Sequence, residues 1–267
     1  MSKLSFLNLR IGKRQKIILA SLIMSLGLIY STQTTGAIFL RVQLIIIFGI
    51  VAYLLSLWAL WEGINKLKAI ILLILPAMYA VAVASFYFLL PIRWLTRLPV
   101  VFLFAISYYT LLLSQNVFNV ASIRTIPLYR AASTASFLFT LITAFFLFNV
   151  VYALNLPSYW NGVVVFILTL PLALQLLWTV EMEKISSPII VYSIVIALLV
   201  GEGAVALSFW PVAPTTWSLA LSTMIYVLLG LTIEFVRDRI NQKIVWEFIG
   251  VGVVVLTFTI LATSWGG

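Results

Sequence analysis

Residues 187–209 read SPIIVYSIVIALLVGEGAVALSF, an apolar run interrupted by one carboxylic acid, Glu202. A helix of about 20 apolar residues spans the hydrocarbon core of a bilayer, which is roughly 30 Å thick. Glu202 lies well inside this run, where an ionisable side chain costs about 2.5–3.5 kcal/mol unless it finds a partner, water or a proton. The run therefore predicts a transmembrane helix and marks Glu202 as a candidate functional residue.

The rest of the chain has the composition of an integral membrane protein. Hydrophobic residues make up 64% of it and charged residues 9%, with a mean hydropathy of +1.19, far outside the range of soluble domains. Other apolar stretches have the length of helical spans, and none shows the alternation typical of barrel strands. We predict an all-α polytopic bundle, with residues 1–267 forming a single transmembrane domain with short loops.

The apolar stretches predict nine spans, at about 17–35, 40–61, 68–90, 98–115, 134–154, 161–180, 188–210, 217–236 and 244–263. The first span is the weakest, because its apolar core ends at Tyr30 and a polar segment follows. A cleaved signal peptide is the alternative for this segment, but no clear small-residue cleavage site precedes a soluble domain. We expect a retained helix.

The basic residues predict the orientation of the bundle. Of the 16 lysines and arginines, only Arg41, Arg93 and Arg97 fall on one predicted side. The positive-inside rule then places the N-terminus, with its basic segment 1–16, in the cytoplasm of a bacterial-type plasma membrane. The net charge of +9 is explained by attraction to anionic headgroups at the cytoplasmic face and requires no nucleic-acid partner.

Missing residue types argue against catalysis. The chain has no histidine and no cysteine, so the common histidine and thiolate ligands of metals and haem are absent, as are histidine-activated nucleophiles. All acids except Glu202 fall near predicted cytoplasmic helix ends. We therefore expect a non-enzymatic protein without a cofactor or a metal site.

Polar residues inside the spans suggest a candidate intramembrane binding site made of Glu202, Gln175 and Asn149. In one interpretation Glu202 lines a cavity and binds a proton or cation during transport. In the other it is protonated, or paired with Arg41, and holds helices together. Gln175 and Asn149 have a similar alternative as interhelical hydrogen-bonding residues.

Small residues recur every fourth position in the seventh span, at Ser193, Ala197 and Gly201. Such a stripe allows another helix to approach closely. It is a candidate surface for self-association or for binding another membrane protein.

Residues 116–133 are too apolar for a solvated loop and too polar for a span, which favours a cytoplasmic interfacial or re-entrant segment. Arg124 and Arg130 flank Pro127 within it and are candidate contacts for an anion or a lipid headgroup. Their alternative role is anchoring at the basic side of the membrane.

The sequence favours transport of a small solute or ion, with a structural or scaffolding subunit of a membrane complex as the alternative. Transport predicts a polar cavity that reaches Glu202, whereas a scaffold predicts a dry, packed bundle.

Overall fold

The structure, a computed structural model, describes residues 12–31, 38–62, 66–90, 94–121, 128–182 and 186–263. These residues form ten α-helices. They are α1 (Lys13–Ser31), α2 (Ile38–Leu60), α3 (Lys66–Leu72), α4 (Ile74–Leu89), α5 (Trp94–Ala121), α6 (Tyr129–Ala153), α7 (Ser158–Glu181), α8 (Ser187–Ser208), α9 (Pro214–Val236) and α10 (Gln242–Leu261). The predicted all-α polytopic bundle is confirmed.

Within the described residues, eight helical segments are long and apolar enough to cross a membrane. Seven are single helices, and the eighth, Ala69–Leu89, combines the end of α3 with α4. The break falls at Leu73, because Pro76 has no N–H to donate to the carbonyl of Leu72. Pro171 leaves α7 unbroken. The helix outside this set of eight is α1, the segment with the shortest apolar core.

Contacts between helix ends show that neighbouring helices alternate in direction. The start of α1 meets the second residue after α2, since Lys16 Nζ lies 2.9 Å from Glu62 Oε1. At the end of α5, Asn119 donates to the carbonyl of Glu62 at 3.1 Å. The start of α6 meets the end of α7, since the hydroxyl of Tyr129 donates to the carbonyl of Thr179 at 2.9 Å.

The end of α9 also meets the start of α6, through a hydrogen bond from Arg237 to Ser133. One end of the bundle, which we call the basic end, therefore gathers the basic side chains Lys13, Arg14, Lys16, Arg130, Arg237 and Arg239. This is the grouping that the predicted cytoplasmic side requires.

The helices differ in how far they are enclosed. The central pair is α4 and α6, which pack against each other; α4 also contacts α2, α5 and α7, and α6 also contacts α5, α7 and α9. At one edge, α1 packs on α2 and α5 and buries Ile17, Ala20, Met24 and Leu28. At the other edge, α10 packs on α9 with Thr259 as its one buried residue. Most of the α10 surface is therefore exposed.

The stripe of Ser193, Ala197 and Gly201 lies inside the chain's own bundle. All three residues are buried. A Cβ atom at Gly201 would lie 3.0 Å from the carbonyl oxygen of Gly162 on α7, so the two backbones meet without intervening side chains. Small residues do promote close helix approach here, but within one molecule. The prediction that this stripe is a surface for self-association or for a partner is corrected accordingly.

The described parts of the segment 116–133 belong to transmembrane helices. Residues 116–121 continue α5 and residues 129–133 begin α6. The polar residues of this stretch are accommodated by packing, because Asn119 is buried and reaches the carbonyl of Leu60 at 3.3 Å. A separate interfacial or re-entrant element is therefore not formed by these parts. Arg124 lies outside the described residues.

Candidate functional sites

The basic end contains a polar cavity of about 550 Å³. It lies between the start of α6 and the ends of α7 and α9. The residues that line it are Tyr129, Arg130, Ser133, Thr134, Val180, Met182, Arg237 and Arg239. We call it the arginine cavity, because its three charged lining residues are all arginines.

Helix ends bring these arginines together. The left-handed backbone of Asp238, with φ of 53°, turns the chain after α9, and the N–H of Arg239 then donates to the carbonyl of Glu234 at 2.9 Å. Aspartate tolerates this conformation better than most residues. Arg237 and Arg239 are thereby held on either side of the turn and line the same cavity.

Arg237 is the most constrained of the three arginines. One of its nitrogens donates to the hydroxyl of Ser133 at 3.0 Å, and another lies 3.4 Å from Glu234 Oε1. A guanidinium carries five N–H donors, so these two contacts leave others free to bind an anion. Arg130 and Arg239 are exposed at the cavity rim.

A smaller cleft of about 140 Å³ adjoins the arginine cavity. The two share Ser133, Thr134 and Arg237, and the cleft is otherwise lined by Phe137, Gly230, Ile233, Glu234 and Phe248. It lies between α6, α9 and α10, and its apolar residues come from turns deeper in the membrane than the arginines.

Glu202 lies in a different part of the molecule. Its side chain is exposed on the outer surface of α8, beside the exposed residues Leu198 and Leu199. It is not among the lining residues of the arginine cavity, of its adjoining cleft or of two apolar cavities at membrane depth, and neither described ion pair involves Glu202 or Arg41. The predicted pairing with Arg41 is therefore not formed between the described residues, whereas the placement of Glu202 in a cavity stays a prediction. Glu202 belongs to the lipid-facing side of the bundle because α8 buries its opposite face against α7.

An apolar groove of about 370 Å³ lies near Glu202. It runs between α8, α9 and α10, with Leu199 on α8, Met224 on α9 and Leu256 on α10 among its lining residues. Thr223 is its one polar lining residue. Leu199 precedes Glu202 by one helical turn, so the groove and the carboxylate share one side of α8.

Gln175 and Asn149 are buried between helices and do not join Glu202. Gln175 Nε2 donates to Gln115 Oε1 at 3.3 Å, and Gln115 Nε2 lies 3.5 Å from the hydroxyl of Ser136. Asn149 Nδ2 donates to the hydroxyl of Ser218 at 3.4 Å. These contacts link α7 to α5 to α6, and α6 to α9. The structure thus places the two amides as interhelical hydrogen-bonding residues.

Of the predicted anion contacts, Arg130 lines the arginine cavity. Arg237 and Arg239 line the same cavity, and Arg237 also contacts Glu234. Nothing in the sequence marked Ser133 as a functional residue. The sequence did predict that all three arginines lie on the same side of the membrane. It could not predict that they share a cavity, because the packing of the bundle decides that α6 and α9 are neighbours.

The fold and these sites define a multi-pass helical membrane protein. Residues 32–262 match the family described as "Protein of unknown function (DUF5656)", and the chain belongs to this family. No curated protein and no solved structure matches it.

Proposed function

We propose that the protein is a non-catalytic membrane scaffold that recruits a transmembrane helix of another protein to the face formed by α8, α9 and α10. The occupant is a helix with a lysine or arginine at the depth of Glu202. The observation that carries the proposal is the exposed carboxylate of Glu202 on the outside of the bundle. The membrane is, in this proposal, the bacterial-type plasma membrane predicted from the basic residues.

The depth of Glu202 makes a partner necessary. It lies about six residues before the end of α8 at Ser208, which is roughly 9 Å at ~1.5 Å per residue. A glutamate side chain is too short to reach the headgroups from there as lysine and arginine do. A cationic side chain from a neighbouring helix would offset the cost of this carboxylate in lipid.

The surroundings of Glu202 suit a helix. The exposed side of α8 is apolar, and the groove beside it offers space for side chains of an incoming helix. Gly250 on α10 is open, with no atom within 4 Å of the position that a Cβ would take. Close contact between helices in lipid depends on such small residues.

Transport of a small solute or ion, with Glu202 as the exchanging group, is the alternative proposal. It needs water to reach Glu202. Two cavities at membrane depth, one beside α8 and one beside α2, are lined almost entirely by apolar residues, and neither includes Glu202. Transport therefore has less support than docking.

A binding experiment with a synthetic helix tests the docking proposal. The protein, labelled at Ala213→Cys, is reconstituted in phosphatidylcholine vesicles with a polyleucine transmembrane helix that carries one lysine about 9 Å from its end. Energy transfer reports association. We expect the lysine helix to bind the protein several-fold better than an all-leucine helix.

Two variants complete this experiment. Glu202→Gln should abolish the preference for the lysine helix, whereas Glu247→Gln, which removes an exposed acid near the start of α10, should retain it. Equal binding of both helices, or an unchanged preference in Glu202→Gln, contradicts the proposal.

A further inference from the structure

The arginine cavity is independent of the docking face. We infer that it binds the phosphate of an anionic glycerophospholipid, whose acyl chain follows the adjoining cleft between α6, α9 and α10.

The charge of the cavity selects an anion. Its lining contains three arginines and no acid. A carboxylate close by, Glu234, lines the adjoining cleft and is already engaged by Arg237. Arginine suits phosphate because its planar guanidinium donates two parallel hydrogen bonds to paired oxygens. The site therefore favours a ligand with net negative charge over a zwitterion, whose ammonium group would be repelled.

The hydroxyl groups of the cavity add donors. Ser133 accepts a hydrogen bond from Arg237, which leaves its own proton to donate to a ligand oxygen. Tyr129 and Thr134 donate to backbone carbonyls, at 2.9 and 3.1 Å, and so shape the walls instead.

The adjoining cleft distinguishes a lipid from a soluble phosphate. Phe137 lies four residues further into α6 than Ser133, and Ile233 lies four residues before Arg237 on α9. Four residues correspond to about 6 Å along a helix axis. Apolar side chains therefore begin about one turn deeper than the arginines, directly below the cavity. An amphiphile with its phosphate at the arginines would place its chain against them.

The expected location agrees with this ligand. The basic end is predicted to face the cytoplasm, where the inner leaflet supplies anionic lipids. We expect a lipid to enter sideways between α6 and α10, because α10 packs mainly on α9 and has no extensive contact with α6 among the described residues.

Native mass spectrometry of the purified protein in a neutral detergent tests the inference. Phosphatidylglycerol, phosphatidylcholine and glycerol 3-phosphate are the probes, at equal concentrations. We expect phosphatidylglycerol to bind at least about tenfold better than the other two. Equal binding of phosphatidylcholine overturns the selection for an anion, and equal binding of glycerol 3-phosphate identifies the ligand as a soluble phosphate and overturns the lipid.

Variants localise the site. Arg130→Gln and Arg239→Gln leave the contact between Arg237 and Ser133 intact, so the fold is retained, and each should weaken phosphatidylglycerol binding about tenfold. Arg14→Gln is the matched control, since it removes an exposed arginine at the same end of the bundle. An equal loss in Arg14→Gln would show general attraction to a basic surface and would overturn the assigned site.

Discussion

The guanidinium of Arg237 donates a hydrogen bond of 3.0 Å to the hydroxyl of Ser133, a residue 104 positions earlier in the chain. This contact joins the end of α9 to the start of α6 and forms one wall of the arginine cavity. Because Arg237 also contacts Glu234, its side chain is held in place before any ligand arrives. A site that is already arranged binds a ligand at a lower entropic cost.

Ser133→Ala should lower stability by about 1 kcal/mol, because it removes the acceptor of a charge-assisted hydrogen bond in a half-exposed position. Thermal unfolding in detergent measures the effect. Thr134→Val is the control, since the Thr134 hydroxyl donates within its own helix, to the carbonyl of Arg130. Equal losses of stability in the two variants would show that the hydrogen bond between α9 and α6 does not stabilise the protein.

Gly201→Val should destabilise the bundle by about 1–3 kcal/mol, because added methyl groups force closely packed backbones apart. The Cβ would lie 3.0 Å from the carbonyl oxygen of Gly162 and 3.2 Å from Cβ of Phe166. Gly250→Val makes the same change where no atom lies within 4 Å. Denaturant titration in micelles compares them. A Gly201→Val protein as stable as Gly250→Val would contradict the close approach of α7 and α8.

Gln115 and Gln175 should stabilise each other by about 0.6 kcal/mol, the average for polar contacts between membrane helices. A double-mutant cycle with Gln115→Leu and Gln175→Leu measures this coupling. The stability losses of the two single variants should add up to more than the loss in the double variant, because each single change leaves one buried amide without its partner. Strict additivity would mean that the hydrogen bond between α5 and α7 contributes no coupling.

The contact between α1 and the end of α2 should depend on pH. The pKa of Glu62 is lowered from its ordinary value of 4.5 by the hydrogen bond from Lys16, with added attraction from the charges of Lys16 and Lys13. A depressed folded-state pKa gives stability that is present above the ordinary value and is lost as pH falls through the lower one. Glu62→Gln should therefore unfold at a lower temperature than the unmodified protein at neutral pH.

The difference should shrink as pH falls below 4.5 and disappear once Glu62 is protonated in the folded protein as well. Glu247→Gln, which alters an exposed acid outside the two described ion pairs, should show no such dependence. If the difference in unfolding temperature between Glu62→Gln and the unmodified protein did not change with pH, the stabilising role assigned to the charge of Glu62 would be contradicted.

Single cysteines introduced at positions 195, 198, 202, 206 and 209 distinguish lipid from water at the exposed side of α8. All five positions are exposed on the bundle, and the chain has no native cysteine. The docking proposal predicts that a membrane-impermeant maleimide leaves positions 195, 198 and 202 unlabelled in intact membranes, because lipid covers them. Labelling at 202 and its neighbours would reveal a water-filled path and would favour transport.

Much of the fold was predictable from hydropathy. Helices in lipid must satisfy all backbone hydrogen bonds within the segment, so length and apolarity identify them. Helix ends were less predictable: α5 continues to Ala121 because Asn119 finds carbonyl acceptors on a neighbouring helix. The break before α4 followed from Pro76, whereas Pro171 left no break in α7.

The sites were less predictable than the fold. The sequence indicates that burying the Glu202 side chain in lipid is energetically unfavourable. Whether this side chain points into the bundle or away from it depends on which face of α8 packs against α7. That choice is made by the small residues Ser193, Ala197 and Gly201, which turn Glu202 outward. The arginine cavity joins residues from three helices, and hydropathy carries no information on which helices are neighbours.

The sequence by itself determined the class of protein, the approximate spans, the weakness of α1 as a membrane-crossing helix and the residues whose burial in lipid is costly. These properties follow from local composition, because the bilayer selects each segment by its own transfer free energy. Only the tertiary structure decided that Gln175 meets Gln115, that Glu202 faces outward and that Arg130 shares a cavity with Arg237 and Arg239. Packing between helices depends on shape and on contacts distant in sequence, which a span-by-span reading of hydropathy does not contain.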